Sequence, residues 1–489
     1  MKFLPRTTPE SVGIRSSDIL RFIERLSENE PFEEPHGFLL LRHGQCVAEG
    51  YFAPFTADSR HSLFSVSKSI ISTAIGFAVQ ENLLTLEDRI ADFFPEYLPQ
   101  TSAPAFSRMT IRHILMMATG QQGVGVHMTL RGVERGIPEA FFRASFLDEP
   151  GQTFRYSSAA TYMLSLLIAR LTGQDVVEYL TPRLFQPLGI EPPFARRCPD
   201  GIILGYTGMR MTLRELALFG QFYLQRGMWE GRQLLDAAWF DLATQKQIDT
   251  GESATGGEWS QGYCFQFWRG THNTFRFCGA HGQMCIVSPD RDLVCVLQSG
   301  YDNRVLQYVV DAFYSTIWDG MDAAQSGVLP EDPDMRKRLE KTLAGLMLPT
   351  VSSNFSPLTS LLNGAVYTSD NGDIASVSIR FSSGVCLLTV TYRDGAPATL
   401  ASGMGRPMEA VSTLADHYSI EPADKDPTQS YAYWEATREL RIVARVVPTP
   451  TVITAALSFR GDDTLEMHLR SYRGECDDGY IFTGKRRAF

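Results

Sequence analysis

From His61 to Gln80 the chain carries a single formal charge, Lys68, set three residues after Ser65 at the head of the apolar run Ile70-Ile71-Ser72-Thr73-Ala74-Ile75-Gly76-Phe77-Ala78-Val79. Apolar on every side, this run reads as a helix sunk in a large core. At its N-terminus an ammonium meets both desolvation and the positive end of the helix dipole, and both favour the neutral amine. A neutral amine one turn from a hydroxyl can accept that hydroxyl's proton, so Ser65 and Lys68 form a nucleophile and base pair. The competing reading, a lysine snorkelling from a helix end, puts a cation at the unfavourable pole of the dipole. The run is also short of the roughly twenty residues that a membrane span requires.

A chain of 489 residues exceeds one ordinary domain, and two or three are expected. Its 44% apolar and 20% charged residues are those of a soluble globular protein. A net charge of -10 argues against a nucleic acid or an anionic membrane as partner. The N-terminus shows no secretory signal pattern, and the eight cysteines include no Cys-x-x-Cys pair, so a cytoplasmic protein with reduced thiols and no metal site is expected.

Gly37–Leu41 and Cys46–Phe52 flank a turn at 42–45 and predict a hairpin. Helix-like segments follow at Thr110–Met117, Ala160–Leu171 and Thr212–Gln225, each closed by a glycine. Strands are predicted at Gln261–Trp268, Phe275–Cys278, Met284–Val287 and Leu293–Gln298, before a closing helix at Asn303–Trp318. The order implies an α/β (α+β) domain over 1–335, with an antiparallel sheet flanked by helices and a helical subdomain. Residues 336–360 read as a linker, with a helical candidate at Asp334–Leu346 overlapping its start. Beyond it, period-two alternation such as Val377, Ile379 and Phe381 against Ser378 and Arg380 predicts an all-β barrel over 361–489.

Three motifs together resemble the serine β-lactamase-like hydrolases, which include class C β-lactamases, D-alanyl-D-alanine carboxypeptidases and esterases. They are Phe64-Ser65-Val66-Ser67-Lys68, Pro150-Gly151-Gln152-Thr153-Phe154-Arg155-Tyr156-Ser157-Ser158 and Gly279-Ala280-His281-Gly282-Gln283. The resemblance covers about residues 8 to 320 and implies a β-lactamase/transpeptidase-like fold and an acyl-serine mechanism without cofactor or metal. It implies Ser65 as nucleophile, Lys68 receiving or relaying its proton, and Tyr156 as a second acid-base group that works as a base only where Lys68 lowers its phenol pKa; the two groups are coupled, and either can hold the proton. It also implies an oxyanion hole from the backbone N–H groups of Ser65 and Ala280, with Ser158, Gly279 and His281 facing substrate.

Two departures bear on the substrate. Ser158 stands where the family usually has Asn, and no lysine occurs between Lys246 and Lys337 to supply the Lys-Thr-Gly motif that holds a β-lactam carboxylate. His281, His272 and Arg276 are possible partial substitutes. A small ester or amide substrate is therefore expected, with penicillins poor, and residues 121–150 are expected to shape the pocket. Acyl transfer through the same intermediate and a non-catalytic scaffold are the alternatives. An α/β-hydrolase is ruled out because no serine has glycine at both minus two and plus two. The C-terminal barrel resembles the lipocalin-like domain appended to some family members; covering the site mouth or forming a homo-oligomer are its expected roles.

Overall fold

The computed structural model describes residues 4–28, 32–98, 104–122, 136–252, 256–323, 327–393, 395–414, 426–461, 463–472 and 479–487. The chain divides into two compact units: 1–29, 34–51 and 57–346 form one, and 30–33, 52–56 and 347–489 the other.

The first unit is built on a six-stranded antiparallel sheet. Its strands are β1 (Glu34–Arg42), β2 (Gln45–Tyr51), β3 (Trp268–Arg269), β4 (Phe275–Gly279), β5 (Gln283–Ser288) and β6 (Leu293–Gly300), in the order β2-β1-β6-β5-β4-β3. The predicted hairpin is β1–β2, and its first strand is buried along its whole length because helices cover both of its faces. The helices that matter for the site are α1 (Ser16–Ser27), α2 (Ser67–Gln80), α3 (Ser158–Thr172), α4 (Leu213–Leu224), α5 (Leu306–Phe313) and α6 (Pro333–Ala344). Helix α4 seats closely on the sheet at Gly220, where a Cβ would lie 2.5 Å from Cys285 Sγ and 2.8 Å from Val294 Cγ1. The apolar run of the sequence is α2, in which every residue from Ser67 to Ala78 is buried.

Two expectations are corrected. Of the predicted strand Gln261–Trp268 only the last residue lies in a strand, as the first of β3, with Tyr263 forming isolated bridges to Ile248 and Trp268, because Gln266 takes a left-handed backbone at φ 67° and its amide turns to the Leu115 and Cys264 carbonyls. The helical candidate at 334–346 forms α6 and packs on α1 through buried Leu339, so the first unit runs to residue 346 rather than ending at 335.

The second unit contains β7 (Ala365–Thr368), β8 (Ile374–Ser382), β9 (Val385–Tyr392), β10 (Pro397–Met404), β11 (Met408–Val411), β12 (Pro427–Ala436), β13 (Glu439–Val446), β14 (Val452–Arg460), β15 (Thr464–Tyr472) and β16 (Tyr480–Arg486). Pairing of β10 with β12 closes nine of them into a barrel and leaves β11 as a flanking strand. The period-two alternation is realised directly: alternate residues of β9 are buried. Inward-facing Tyr367, Phe381, Trp434, Phe459 and Phe482 fill the interior, and Trp434 Nε1 donates to Thr359 Oγ1 at 3.0 Å. Among the described residues no helix is long and apolar enough to cross a membrane.

Candidate active site

Ser65 lies in the 3-10 turn Phe64–Val66 immediately before α2. Phe64 is held in the left-handed region at φ 47°, a strained setting for an aromatic residue that persists only because the surroundings fix it. One fixed point is the Leu63 amide, which donates to the Met209 carbonyl at 2.9 Å. Lys68, on the first turn of α2, is 1% exposed, and its Nζ lies 2.9 Å from Ser65 Oγ and 2.9 Å from the Tyr206 carbonyl oxygen. A carbonyl can only accept, so one N–H of the amine is committed to Tyr206. In a neutral amine the lone pair can face the serine hydroxyl.

Tyr156 joins the same group. Its hydroxyl is in hydrogen-bonding contact with Ser65, and Lys68 Nζ sits 4.9 Å from the centre of its ring. The expected lowering of its pKa is not found: burial pushes the phenol well up, only partly offset by the Ser65 contact. Although part of the Tyr156 surface remains accessible, Tyr263 and Trp268 pack against the ring and strip the phenol of solvent. Burial thus favours the protonated phenol at neutral pH.

The third motif arrives on the end of β4. A Cβ at Gly279 would meet the Leu63 carbonyl at 2.4 Å and lie 3.2 Å from the Ser65 amide nitrogen, so only glycine lets this strand end approach the nucleophile's backbone. Ala280 follows at once in the turn Ala280–Gly282. His281 has φ 63°; its Nδ1 donates to the Tyr301 carbonyl at 3.1 Å, and its ring meets that of Phe64 edge-on at 5.2 Å. Of the three side chains considered as substitutes for the missing lysine, only His281 is placed here. Arg276 is 1% exposed and tied to the Glu258 carboxylate at 3.1 Å and the Glu258 carbonyl at 2.7 Å. His272 is exposed and packs against Tyr314 and Trp318.

Ser158 is the first residue of α3 and is buried, one position after Ser157, whose hydroxyl caps the helix by accepting from the Ala160 amide at 3.3 Å. Of the 121–150 stretch, residues 123–135 lie outside the described residues. Sequence reasoning missed two contributors. One is the Tyr206 carbonyl, flagged only by the turn-forming Gly205 and Gly208. The other is Gln266, which accepts from Ser69 through its carbonyl (2.9 Å) and from Thr161 through Oε1 (2.8 Å), tying α2 to α3. Among the described residues no cluster of three or more His, Cys, Asp or Glu side chains is placed to hold a metal ion, and seven cysteines are unpaired thiols.

The strand His61–Ser62 leads directly into Ser65, and His61 is wholly buried. Its Nδ1 donates to the Ser62 carbonyl (2.9 Å), so Nε2 accepts from His36 Nδ1 (2.8 Å). Burial lowers its pKa from 6.5 to about 4. As pH falls the unfolded chain binds the proton first, so this contribution is intact above about pH 6.5, is lost down to about 4 and is constant below. The loss amounts to about 3 kcal/mol. Thermal denaturation is expected to show Tm falling across that interval, with His61→Gln flattening the decline; equal slopes in the two proteins would refute the assignment.

The Beta-lactamase family model matches residues 37–305. Among characterised proteins, the chain is 25% identical over 316 residues to 6-aminohexanoate-dimer hydrolase of Paenarthrobacter ureafaciens, covering 60% of this chain and 76% of that protein. It is 28% identical over 174 residues to esterase EstB of Burkholderia gladioli, covering 32% of this chain and 43% of the esterase. Two solved structures share the fold. One is a 6-aminohexanoate-dimer hydrolase-like protein from Bacillus anthracis (TM-score 0.54, 19% identity, 68% of this chain and 89% of that one). The other is a penicillin-binding protein homologue from Caulobacter crescentus (TM-score 0.50, 15% identity, 62% and 97%). With the matched region running from β1 to the start of α5 and enclosing Ser65, Lys68, Tyr156 and Gly279, the chain belongs to the Beta-lactamase family.

Proposed function

We propose that this protein is a serine hydrolase that cleaves a small ester or amide through an acyl-serine intermediate. The observation that carries the reading is the 2.9 Å contact between Lys68 Nζ and Ser65 Oγ at a lysine that is 1% exposed. Lys68 takes the Ser65 hydroxyl proton as Oγ bonds to the substrate carbonyl carbon. The negative oxygen of the tetrahedral intermediate is received by the N–H groups of Ser65 and Ala280, for which the close seating of Gly279 on the Ser65 amide is the support. Collapse breaks the bond to the leaving group, which takes a proton from Tyr156, and the proton on Lys68 restores the phenol. Water then attacks the acyl-serine, giving up its proton to Lys68, and free acid leaves as Oγ regains its hydrogen. No metal or organic cofactor enters these steps. Ser158 and His281 are read as substrate contacts.

The substrate class follows from charge. With Arg276 occupied by Glu258 and no lysine in the third motif, that motif offers, among the described residues, no fixed cation for a β-lactam carboxylate. The names of the two characterised relatives, an amide-dimer hydrolase and an esterase, support ester or amide cleavage. The unpaired thiols support a reducing compartment and hence the cytoplasm. A panel of p-nitrophenyl esters, amino acid anilides and a chromogenic cephalosporin tests the reading. Short esters are expected to turn over with kcat/KM at least about a hundredfold above the cephalosporin, whereas rapid cephalosporin turnover would overturn it.

A further inference from the structure

Four rings converge beside Ser65. Phe154, Tyr156, Tyr263 and Trp268 all lie within 6.5 Å of one another by ring centre, with Trp268 stacked on Tyr156 at 6.0 Å and 21° and Tyr263 edge-on to Tyr156, at 6.1 Å, and to Trp268, at 5.1 Å. Phe154, Tyr156 and Trp268 keep accessible surface, while Tyr263 is 1% exposed, so the set is a cup with Tyr263 as its floor. The Tyr263 backbone is fixed by its N–H to the Ile248 carbonyl (2.9 Å) and its own carbonyl to the Gln247 amide (2.8 Å). Among the described residues its hydroxyl makes no hydrogen bond, and its oxygen keeps a sliver of accessible surface. A phenol in this setting can donate to an acceptor atom brought into the cup. Burial and the neighbouring Tyr156 keep it protonated, hence always a donor.

The cup has a side. Tyr156 is the group placed to hand a proton to the departing alcohol or amine, so rings packed around Tyr156 border the leaving group rather than the acyl chain. We propose that Phe154, Tyr156, Tyr263 and Trp268 form a leaving-group subsite for a flat, uncharged aromatic alcohol or amine, with the Tyr263 hydroxyl donating to an acceptor atom on that group. The substrate class is then aryl or arylmethyl esters and amides. Stacking on the Trp268 face supplies the preference for a planar ring, and the floor hydroxyl supplies selectivity among rings.

This inference rests on the hydrolase reading, and the test separates the two. On the full-length protein, kcat/KM is measured for benzyl butyrate, cyclohexylmethyl butyrate and the three isomeric pyridylmethyl butyrates. Wild type is expected to favour benzyl over cyclohexylmethyl by about tenfold. Trp268→Ala, and Trp268→Leu as the bulk-retaining variant, are each expected to lose that preference. Tyr263→Phe, which keeps the ring, is expected to leave it intact and to lower turnover of at least one pyridylmethyl isomer about fivefold relative to benzyl; 3-fluorotyrosine at 263 retains the donor and is expected to keep the isomer pattern. Equal wild-type rates for benzyl and cyclohexylmethyl esters, or a pyridylmethyl series untouched by Tyr263→Phe, overturns the subsite while leaving the hydrolase reading standing. Unchanged ester turnover in Ser65→Ala overturns both.

Discussion

Ser65→Ala is expected to lower kcat/KM for p-nitrophenyl butyrate by at least about 10⁴-fold, because among the described residues no second hydroxyl shares its contacts with both an amine and a phenol. The fold should not register the change. Ser65 is half-buried in a turn, and removing its oxygen costs one or two hydrogen bonds, about 1 kcal/mol, so Tm should move by only a few degrees. Steady-state kinetics with a denaturation curve on the same sample checks both halves. A variant that kept a tenth of wild-type activity would remove Ser65 from the mechanism, and one that failed to fold would make it a structural residue.

Lys68 carries the second large effect. Lys68→Met replaces a buried amine with an unbranched apolar chain of similar length, so stability should be unchanged or slightly higher while kcat falls by about 10³-fold or more. Lys68→Arg sharpens the test. A guanidinium holds its charge but cannot accept a proton at any working pH, so a proton-accepting role forbids recovery in the arginine variant. If Lys68 served only as a fixed positive charge, arginine would retain much of the activity that methionine loses. Stopped-flow acylation rates for the two variants distinguish these roles, and both are expected near the methionine level.

Residues of the site differ in how plainly the sequence announced them. Ser65 and Lys68 were readable because their relation is local: one turn of backbone fixes their separation, and the apolar run after them declares the burial that the chemistry needs. The barrel was readable for the same reason, since alternation within one strand, as in β9, records which face is inside. Where local pattern and tertiary contact disagree, the reading failed. Residues 261–267 have strand-like composition, yet Gln266 abandons the extended backbone to bond α2, α3 and the Leu115 carbonyl, contacts that only the folded chain brings together. The end of the first unit was misplaced because α6, polar on most of its surface, commits only Leu339 to the core.

The Tyr156 phenol shows the limit most clearly. Lysine proximity alone implied a depressed pKa, while the burial that reverses the sign comes from Tyr263 and Trp268, more than a hundred residues further along the chain. Reversing that sign bears on the chemistry proposed for the site, in which Lys68 rather than the phenol takes the serine proton. Gly279 was expected to face substrate; its close seating on the nucleophile's backbone, with the Leu63 carbonyl 2.4 Å from where a Cβ would stand, is a tertiary contact that no local pattern records.

The most direct test of the account is the mass of the protein during turnover. The enzyme is mixed with p-nitrophenyl butyrate, quenched in acid within milliseconds, and analysed intact and after digestion. The expected result is a single added butyryl group on the peptide containing Ser65, absent from Ser65→Ala and accumulating less in Lys68→Met. Turnover with no covalent adduct, or with the acyl group on any other residue, would contradict it.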